Sequence, residues 1–393
     1  MAQTDIELSD LSVTLEPAKD VAGLEKSWQE LETRADGSFF TSWNWIGTWL
    51  ATARVAPLLL TVRAGEEIVA LALFQPVRMR RHGLGTNALL LHQSGDLGED
   101  IITIEHNGFL ADRRVAAAAT DAGISFLKSA AIPNAPFRRW SELHFAGVTN
   151  AFDSRAKATG LMILPWAQRP SWFANLQAVR DGNGSYLESL SSNTRYQIRR
   201  AMRLYEKRGP LTAHPAETAD EALAYYEGLK DLHQRYWEGR GKPGGFSYPY
   251  FERYHRALLT NCLPGGSVEL VCVSAGESVI GYVYNFIYRG CVYAYQTGLH
   301  YEEDSKLKPG LVSHYLCIER HLASGAHTYD FMAGDHRYKR NLGEAGPDIG
   351  HIILQRRTPG ILIETALRRL KDAAARALRK TPEGDDAEAS GAD

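Results

Sequence analysis

VELVCVSAGESVIGYVYNFIYRGCVYAYQTGLHYEEDSKLKPGLVSHYLCIERHLASGAHTYDFMAGDHRYK, residues 268–339, decides the fold. Three apolar, β-rich runs are separated by Ala275-Gly276-Glu277 and Arg289-Gly290, turns of the kind that join consecutive strands. A polar loop follows the strand that ends at Gly298. Pro309-Gly310 then opens a helix over 311–325, and Thr328–Phe331 forms a further strand. Strands interleaved with helical periods place this stretch in the α/β class.

The first half of the chain repeats the pattern. PLLLTVRAGEEIVALALFQPVRMRR (57–81) is two β-rich runs around Ala64-Gly65-Glu66-Glu67. NALLLHQ (87–93) and DIITIEH (100–106) read as further strands, 115–132 as a helix and WSELHFAGV (140–148) as a buried strand. An edge strand at Val13–Ala18 and a helix with Leu24, Trp28 and Leu31 on one face precede them. The aromatic SFFTSWNWIGTWLATA (38–53) reads as a loop feeding a helix that packs on a sheet. Between the halves, LPWAQRPSW (164–172) reads as a hinge. SYLESLSSNTRYQIRRAMRLYEKRG (185–209) reads as one basic helix, with further helices at 219–241 and 249–263 and a last strand, HIILQRR, at 351–357.

Two copies of one α/β unit are therefore expected. The expected division is a flexible 1–11, an N-terminal unit 12–165, a C-terminal unit 173–357, a basic amphipathic helix 358–380 and a disordered acidic tail 381–393.

Composition excludes several classes. With 393 residues, 44% hydrophobic and 23% charged, the chain is an ordinary globular protein. Forty-four Lys and Arg against 46 Asp and Glu give a net charge of -2, which argues against a protein that coats DNA. The four cysteines, Cys262, Cys272, Cys291 and Cys317, form no C-x-x-C pair, so reduced, structural thiols and no metal are expected. MAQTDIELSD has no signal-peptide character, and no apolar run reaches membrane-spanning length; a cytoplasmic location is the expectation.

The chemistry concentrates in the quoted window. A helix that opens at Pro309-Gly310 presents unpaired N–H groups and a positive dipole end, with Lys306 and Lys308 adding charge; this is a phosphate site by chemistry, or an ordinary turn. Asp330 sits inside an apolar strand. Ala333-Gly334 ends that strand, and Asp335, His336, Tyr338, Lys339 and Arg340 follow on a turn. Residues alternate faces along a strand, so only one of Tyr295 and Gln296 faces a cleft; Gln296 is assigned to it and Tyr295 to packing. The basic helix face of Arg195, Arg199, Arg200, Arg203, Lys207 and Arg208 reads either as an anion site or as a solvated surface. Tyr236, Trp237 and Arg240 stand where a sugar could stack, or where a core packs. The 361–380 helix, with Arg368, Arg369, Lys371, Arg376, Arg379 and Lys380 opposite Ile361, Leu362, Leu367 and Leu370, reads either as a peripheral membrane contact or as a helix docked on its own protein.

Together with SFFTSWNWIGTWL, NTRYQIRRAMRLYEKRG and LHQRYWEGRGKPGGF, the piece Tyr329-Asp330-Phe331-x-x-Gly334-Asp335-x-x-Tyr338-Lys339 resembles the cellulose-biosynthesis CelD-type acetyltransferase family of the GNAT superfamily. It is similar also to the Fem-type aminoacyl transferases, which carry two such domains in tandem. The resemblance spans about residues 12–355. It implies tandem GNAT-like domains, each a twisted mixed sheet flanked by helices. It also implies acyl transfer from acyl-CoA (acetyl-CoA), as co-substrate, to an amine or hydroxyl of a small-molecule or sugar-linked acceptor in exopolysaccharide or envelope synthesis.

In that reading the catalytic group is Asp335, Lys339, Asp330 and Tyr338, with His336 and His300 as further candidate bases. The donor lies on Lys308, Gly310, Leu311 and Gln296, and the acceptor on Arg195, Arg199, Trp237 and Arg240. Asp335 and Lys339, four apart, are expected to pair. The superfamily's pyrophosphate motif, Gln/Arg-x-x-Gly-x-Gly/Ala, is present only as Leu307-Lys308-Pro309-Gly310-Leu311, which leaves an aminoacyl-tRNA donor as the alternative. A non-catalytic scaffold of the same fold is the alternative of a different class.

Overall fold

The computed structural model describes residues 11–379 apart from His82 and Asn183. Of the expected flexible 1–11, residues 1–10 lie outside the described residues and Leu11 opens the first strand; the expected acidic tail 381–393 also lies outside them.

Among the described residues, fifteen strands build two mixed sheets. In chain order they are β1 (Leu11–Pro17), β2 (Leu58–Ala64), β3 (Glu67–Arg81), β4 (Leu84–Leu91), β5 (Leu110–Ala111), β6 (Glu142–Thr149), β7 (Met162–Arg169) and β8 (Ser171–Asn175). They continue as β9 (Leu211–Pro215), β10 (Val268–Ala275), β11 (Ser278–Tyr288), β12 (Cys291–Leu299), β13 (Thr328–Ala333), β14 (Glu344–Ala345) and β15 (Ile349–Gln355). The first sheet runs β1-β2-β3-β4-β6-β15-β7, with β5 on β3; the second, read from its opposite end, runs β9-β10-β11-β12-β13-β8-β14.

Position by position the two orders correspond. Each has an antiparallel meander ending on a strand that pairs in parallel with the next, β4 with β6 and β12 with β13. A parallel pair needs a crossover, and the helices Ala116–Ser129 and Pro309–Ala323 lie in those two connections. The expected tandem α/β architecture is the observed one.

The correspondence requires an exchange. β15 pairs antiparallel with both β6 and β7 of the first sheet, while β8 pairs with β13 and β14 of the second. Each half lends one strand to the other. The unit 173–357 drawn from the sequence is accordingly not contiguous in the sheets, because its last strand belongs to the first one. The stretch read as a hinge, 164–172, is strand on both sides of Pro170, and there the chain passes between sheets. Proline has no N–H and forces its predecessor extended, which suits a crossing point without a ladder bond. The Pro170 carbonyl still accepts from Gly334 N–H at 2.8 Å.

A core shared by both halves seals the arrangement. Ser38 and Thr41 form a reciprocal capping box that starts a 3-10 turn over Phe39–Thr41, followed by the helix Trp43–Thr52. Phe39 stacks on Phe286 of β11 at 4.3 Å, and the Tyr254 hydroxyl donates to the Trp45 carbonyl at 3.1 Å. The aromatic segment thus packs on the opposite half. Fully buried side chains of this size contribute about 1.5–3 kcal/mol each, so the joint has the character of an interior.

Two expected elements differ. The basic helix over 185–209 is broken into Tyr186–Ser189 and Ser192–Tyr205, because Ser191 caps the second piece by accepting from Thr194 N–H. DIITIEH is no strand. The Asp100 carboxylate accepts from Ser94 N–H, Ser94 Oγ and Gly95 N–H, holding a 3-10 turn over Asp100–Ile102 and sending residues 103–107 into an irregular loop.

Candidate functional site

The two parallel pairs open differently. β12 and β13 are in register only from Cys291–Thr328 to Tyr293–Asp330 and then diverge. From Ala294 onward one edge of β12 therefore faces a cavity of about 830 Å3 between the halves. In the first sheet the equivalent divergence of β4 and β6 is closed. Asn107 Nδ2 donates to Leu91 O at 3.3 Å and to Ala146 O at 2.9 Å, and Asn107 N–H donates to Gly147 O at 2.8 Å. Gly147, at φ +69°, makes room: a Cβ there would stand 2.1 Å from the Ile104 carbonyl oxygen.

The loop that closes one cleft furnishes the other. Glu105 reaches across to the end of β13, where its Oε2 accepts from Ala333 N–H at 2.8 Å. His106 Nε2 lies 3.0 Å from Asp330 Oδ2, and Asp330 Oδ1 accepts from Met332 N–H at 2.6 Å. Met332 and Gly334 adopt positive φ as the strand breaks. Lys339, in the short helix Arg337–Leu342, folds back so that Nζ donates to Ala333 O at 2.6 Å and Met332 O at 3.3 Å. An ammonium has three donors, so one remains for the cavity.

Burial sets the ionisation of this group. It pushes the Glu105 carboxyl above the usual range, against the Ala333 N–H, His106 and Lys339. It also pulls the Lys339 ammonium down to about 8, opposed by Glu105 and Asp330. Burial would lower His106 as well, but the hydrogen bond and charge of Asp330 prevail and raise it. The result is a buried carboxylate and a buried amine, both in the cavity wall and both closer to neutral pH than such groups in water.

The opposite wall is the start of the Pro309–Ala323 helix. Lys308, Gly310 and Leu311 line it, and no side chain caps it. Gln296 and Tyr295 both line the cavity. The expected alternation fails because the β11–β12 register slips between Tyr284 and Asn285, leaving Tyr295 as an extra residue in a bulge. The Tyr295 hydroxyl donates to Ile102 O at 2.5 Å. Trp237 lines the far end beside Tyr236 and Tyr301, its Nε1 donating to His233 Nε2 at 2.9 Å.

Of the sequence-derived catalytic group, Lys339 and Tyr338 stand in the wall, and Asp330 stands behind it, engaged with His106. Tyr338 stacks on His314 at 5.1 Å, and His336 also lines the cavity. Asp335 does not make the expected pair with Lys339: its carboxylate is exposed and ion-pairs with Arg340, outside the cavity wall. The Lys339 ammonium turns instead into the strand end, because the broken strand leaves two carbonyls that need donors.

On the acceptor side, Arg195 caps the preceding turn through Glu188 O and Leu190 O, and Arg199 is exposed; neither lines the cavity. Arg240 lies over the Tyr236 ring at 3.7 Å, outside the wall proper, and His300 is not in the wall. The sequence reading missed Glu105, Arg169 and His314, all cavity-lining. The -Glu-His- at the end of DIITIEH was the one visible signal for Glu105.

Residues 192–340 match the model of the acetyltransferase (GNAT) domain family. No curated protein matches the chain. Among solved structures, FemX superposes with a TM-score of 0.57 at 13% identity, covering 86% of this chain and 98% of that one. The C-terminal domain of a putative lysylphosphatidylglycerol synthetase from Agrobacterium fabrum gives 0.52 at 10% identity, covering 91% and 97%. L-PGS from Bacillus licheniformis gives 0.52 at 10%, covering 90% and 98%. These likenesses concern the fold: the chain has two tandem, strand-exchanged, GNAT-like halves, and the matched GNAT domain lies in residues 192–340.

Proposed function

We propose that the chain is an acyltransferase that moves an acyl group, acetyl in the simplest case, from acyl-CoA to an amine. The observation that carries this reading is the convergence of Glu105 and Lys339, from opposite halves, on one cavity that an uncapped helix start closes at its other end. The residues fit such a donor. Helix N–H groups and Lys308 suit a pyrophosphate, and the unpaired edge of β12 suits an amide-bearing arm. The donor supplies a thioester carbonyl.

This chain's residues do the rest. Glu105, held by Ala333 N–H on one oxygen, takes the proton that the amine loses as its nitrogen bonds the carbonyl carbon. The remaining donor of Lys339 answers the charge that develops on oxygen, and the proton leaves with the departing thiol as the carbon–sulfur bond breaks. Tyr236, Trp237 and Tyr301 favour a flat, partly apolar acceptor face, such as that of an amino sugar in envelope or exopolysaccharide synthesis.

A second reading takes the donor as an aminoacyl-tRNA. The lone Gly310 and the exposed Arg199 and Arg203 on the Ser192–Tyr205 helix favour it, and FemX and a putative lysylphosphatidylglycerol synthetase share the fold. The test is release of free thiol from acetyl-CoA against a panel of amino sugars. The proposal expects acceptor-dependent thiol release that Lys339→Ala reduces roughly 10²–10³-fold. No release with any amine, in a folded protein that binds charged tRNA, overturns it.

A further inference from the structure

The helix Pro359–Arg379 sits on the protein the wrong way round. An amphipathic helix docked on its own core buries its apolar stripe. Here the first turns bury Ile361, Glu364 and Thr365, at 2%, 2% and 8% exposure. They leave Leu362, Ile363, Leu367 and Leu370 in water at 50%, 53%, 41% and 67%. These four recur at one-, four- and three-residue intervals and form a single outward stripe.

Among the described side chains, charge flanks the stripe with one sign. Arg357, Arg369 and Lys371 are exposed and Arg368 half-buried, while Glu364, the one acid among the described side chains of this helix, faces inward. A groove of about 490 Å3 lies alongside, lined by Met162, Ile163 and Leu362 with Arg357 and Arg369 among its walls. No helix among the described residues is long and apolar enough to cross a membrane.

We propose that this face docks on the surface of an anionic phospholipid bilayer. The helix lies parallel to the surface, with Leu362, Ile363, Leu367 and Leu370 entering the acyl boundary. Arg357, Arg368, Arg369 and Lys371 meet lipid phosphates. Single-sign charge around an exposed apolar stripe favours lipid over a second copy, since two such faces brought together would appose their cations. The surface is separate from the cleft and independent of the activity proposed for it.

The test is co-sedimentation of the full chain with vesicles of phosphatidylcholine alone and of phosphatidylcholine with phosphatidylglycerol, at low and physiological salt, alongside sizing in solution. The proposal expects binding to the anionic vesicles that weakens with salt and is absent from the neutral ones. Leu367→Glu with Leu370→Glu, and separately Arg368→Glu with Arg369→Glu, should each reduce it roughly ten-fold or more with melting temperature unchanged. Equal binding to both vesicle types, or binding that survives both double variants, overturns it. So does absence of vesicle binding together with a dimer that Leu367→Glu/Leu370→Glu dissociates, which would assign the face to a second copy.

Discussion

Glu105 of one half and Ala333 of the other are joined by a 2.8 Å hydrogen bond from the Ala333 N–H to Glu105 Oε2. Replacing the carboxylate with an amide keeps an oxygen to accept this bond and removes only the proposed base. Glu105→Gln should therefore lower turnover roughly 10²–10⁴-fold while leaving the melting temperature and donor affinity near wild type. Single-turnover rates beside thermal denaturation check this.

The pH dependence follows from the two shifted groups. Glu105 titrates above its usual 4.5 and must be ionised to accept a proton, so activity rises through an acid limb displaced upward. Lys339 titrates at about 8 and must be charged, so activity falls above that pH. Lys339→Arg should move the alkaline limb upward. Stability carries the opposite sign: the unfolded chain holds the Lys339 proton up to 10.5 and the folded one only to about 8. Between those values the unfolded state binds more protons, and wild-type stability rises with pH relative to Lys339→Met.

Asp335→Asn should be nearly silent. Its exposed pair with Arg340 is worth under about 1 kcal/mol. Activity and melting temperature within error of wild type, against the loss in Lys339→Ala, separate the two positions that the four-residue spacing joins on paper.

Gly147→Ala tests how the first half positions Glu105, its proposed base, against the second half's strand end. The added Cβ meets the Ile104 carbonyl, so the 103–107 loop must shift, and Glu105 with it. The expected signature is a lower kcat with unchanged donor Kd, since the Pro309 helix start is untouched. A parallel loss in both would mean general unfolding instead.

Ile353→Ala probes the exchange. Ile353 is wholly buried in β15, opposite His144 of β6 and Leu164 of β7. Its truncation should cost about 2–5 kcal/mol and shift one cooperative transition of the whole chain. Two separable calorimetric transitions would contradict halves that lend each other a strand.

The sequence made the meanders, the two crossover helices and the place of Lys339 at the cavity legible, because each announces itself locally through period, turn glycines or a broken strand. β15 was legible as a strand but not as a member of the first sheet, since nothing in Ile349–Gln355 records which partner it meets. Asp335 looked like Lys339's partner because spacing assumes a regular turn; two stranded carbonyls at Met332 and Ala333 claimed the ammonium instead. Glu105 was hidden by an apolar run that mimics a strand, and only the Asp100 turn and the Asn107 plug reveal it as a loop. Tyr295 entered the wall through a bulge, which period-two alternation cannot anticipate.

Equilibrium titration of the full chain with acetyl-CoA, beside CoA and a charged tRNA, is the most direct test of the cleft as a donor site. The account predicts saturable acetyl-CoA binding that Lys308→Glu weakens several-fold at unchanged melting temperature, by removing a cation from the helix start proposed to hold the pyrophosphate. Absence of saturable binding to acetyl-CoA and CoA by the folded wild-type chain would contradict it.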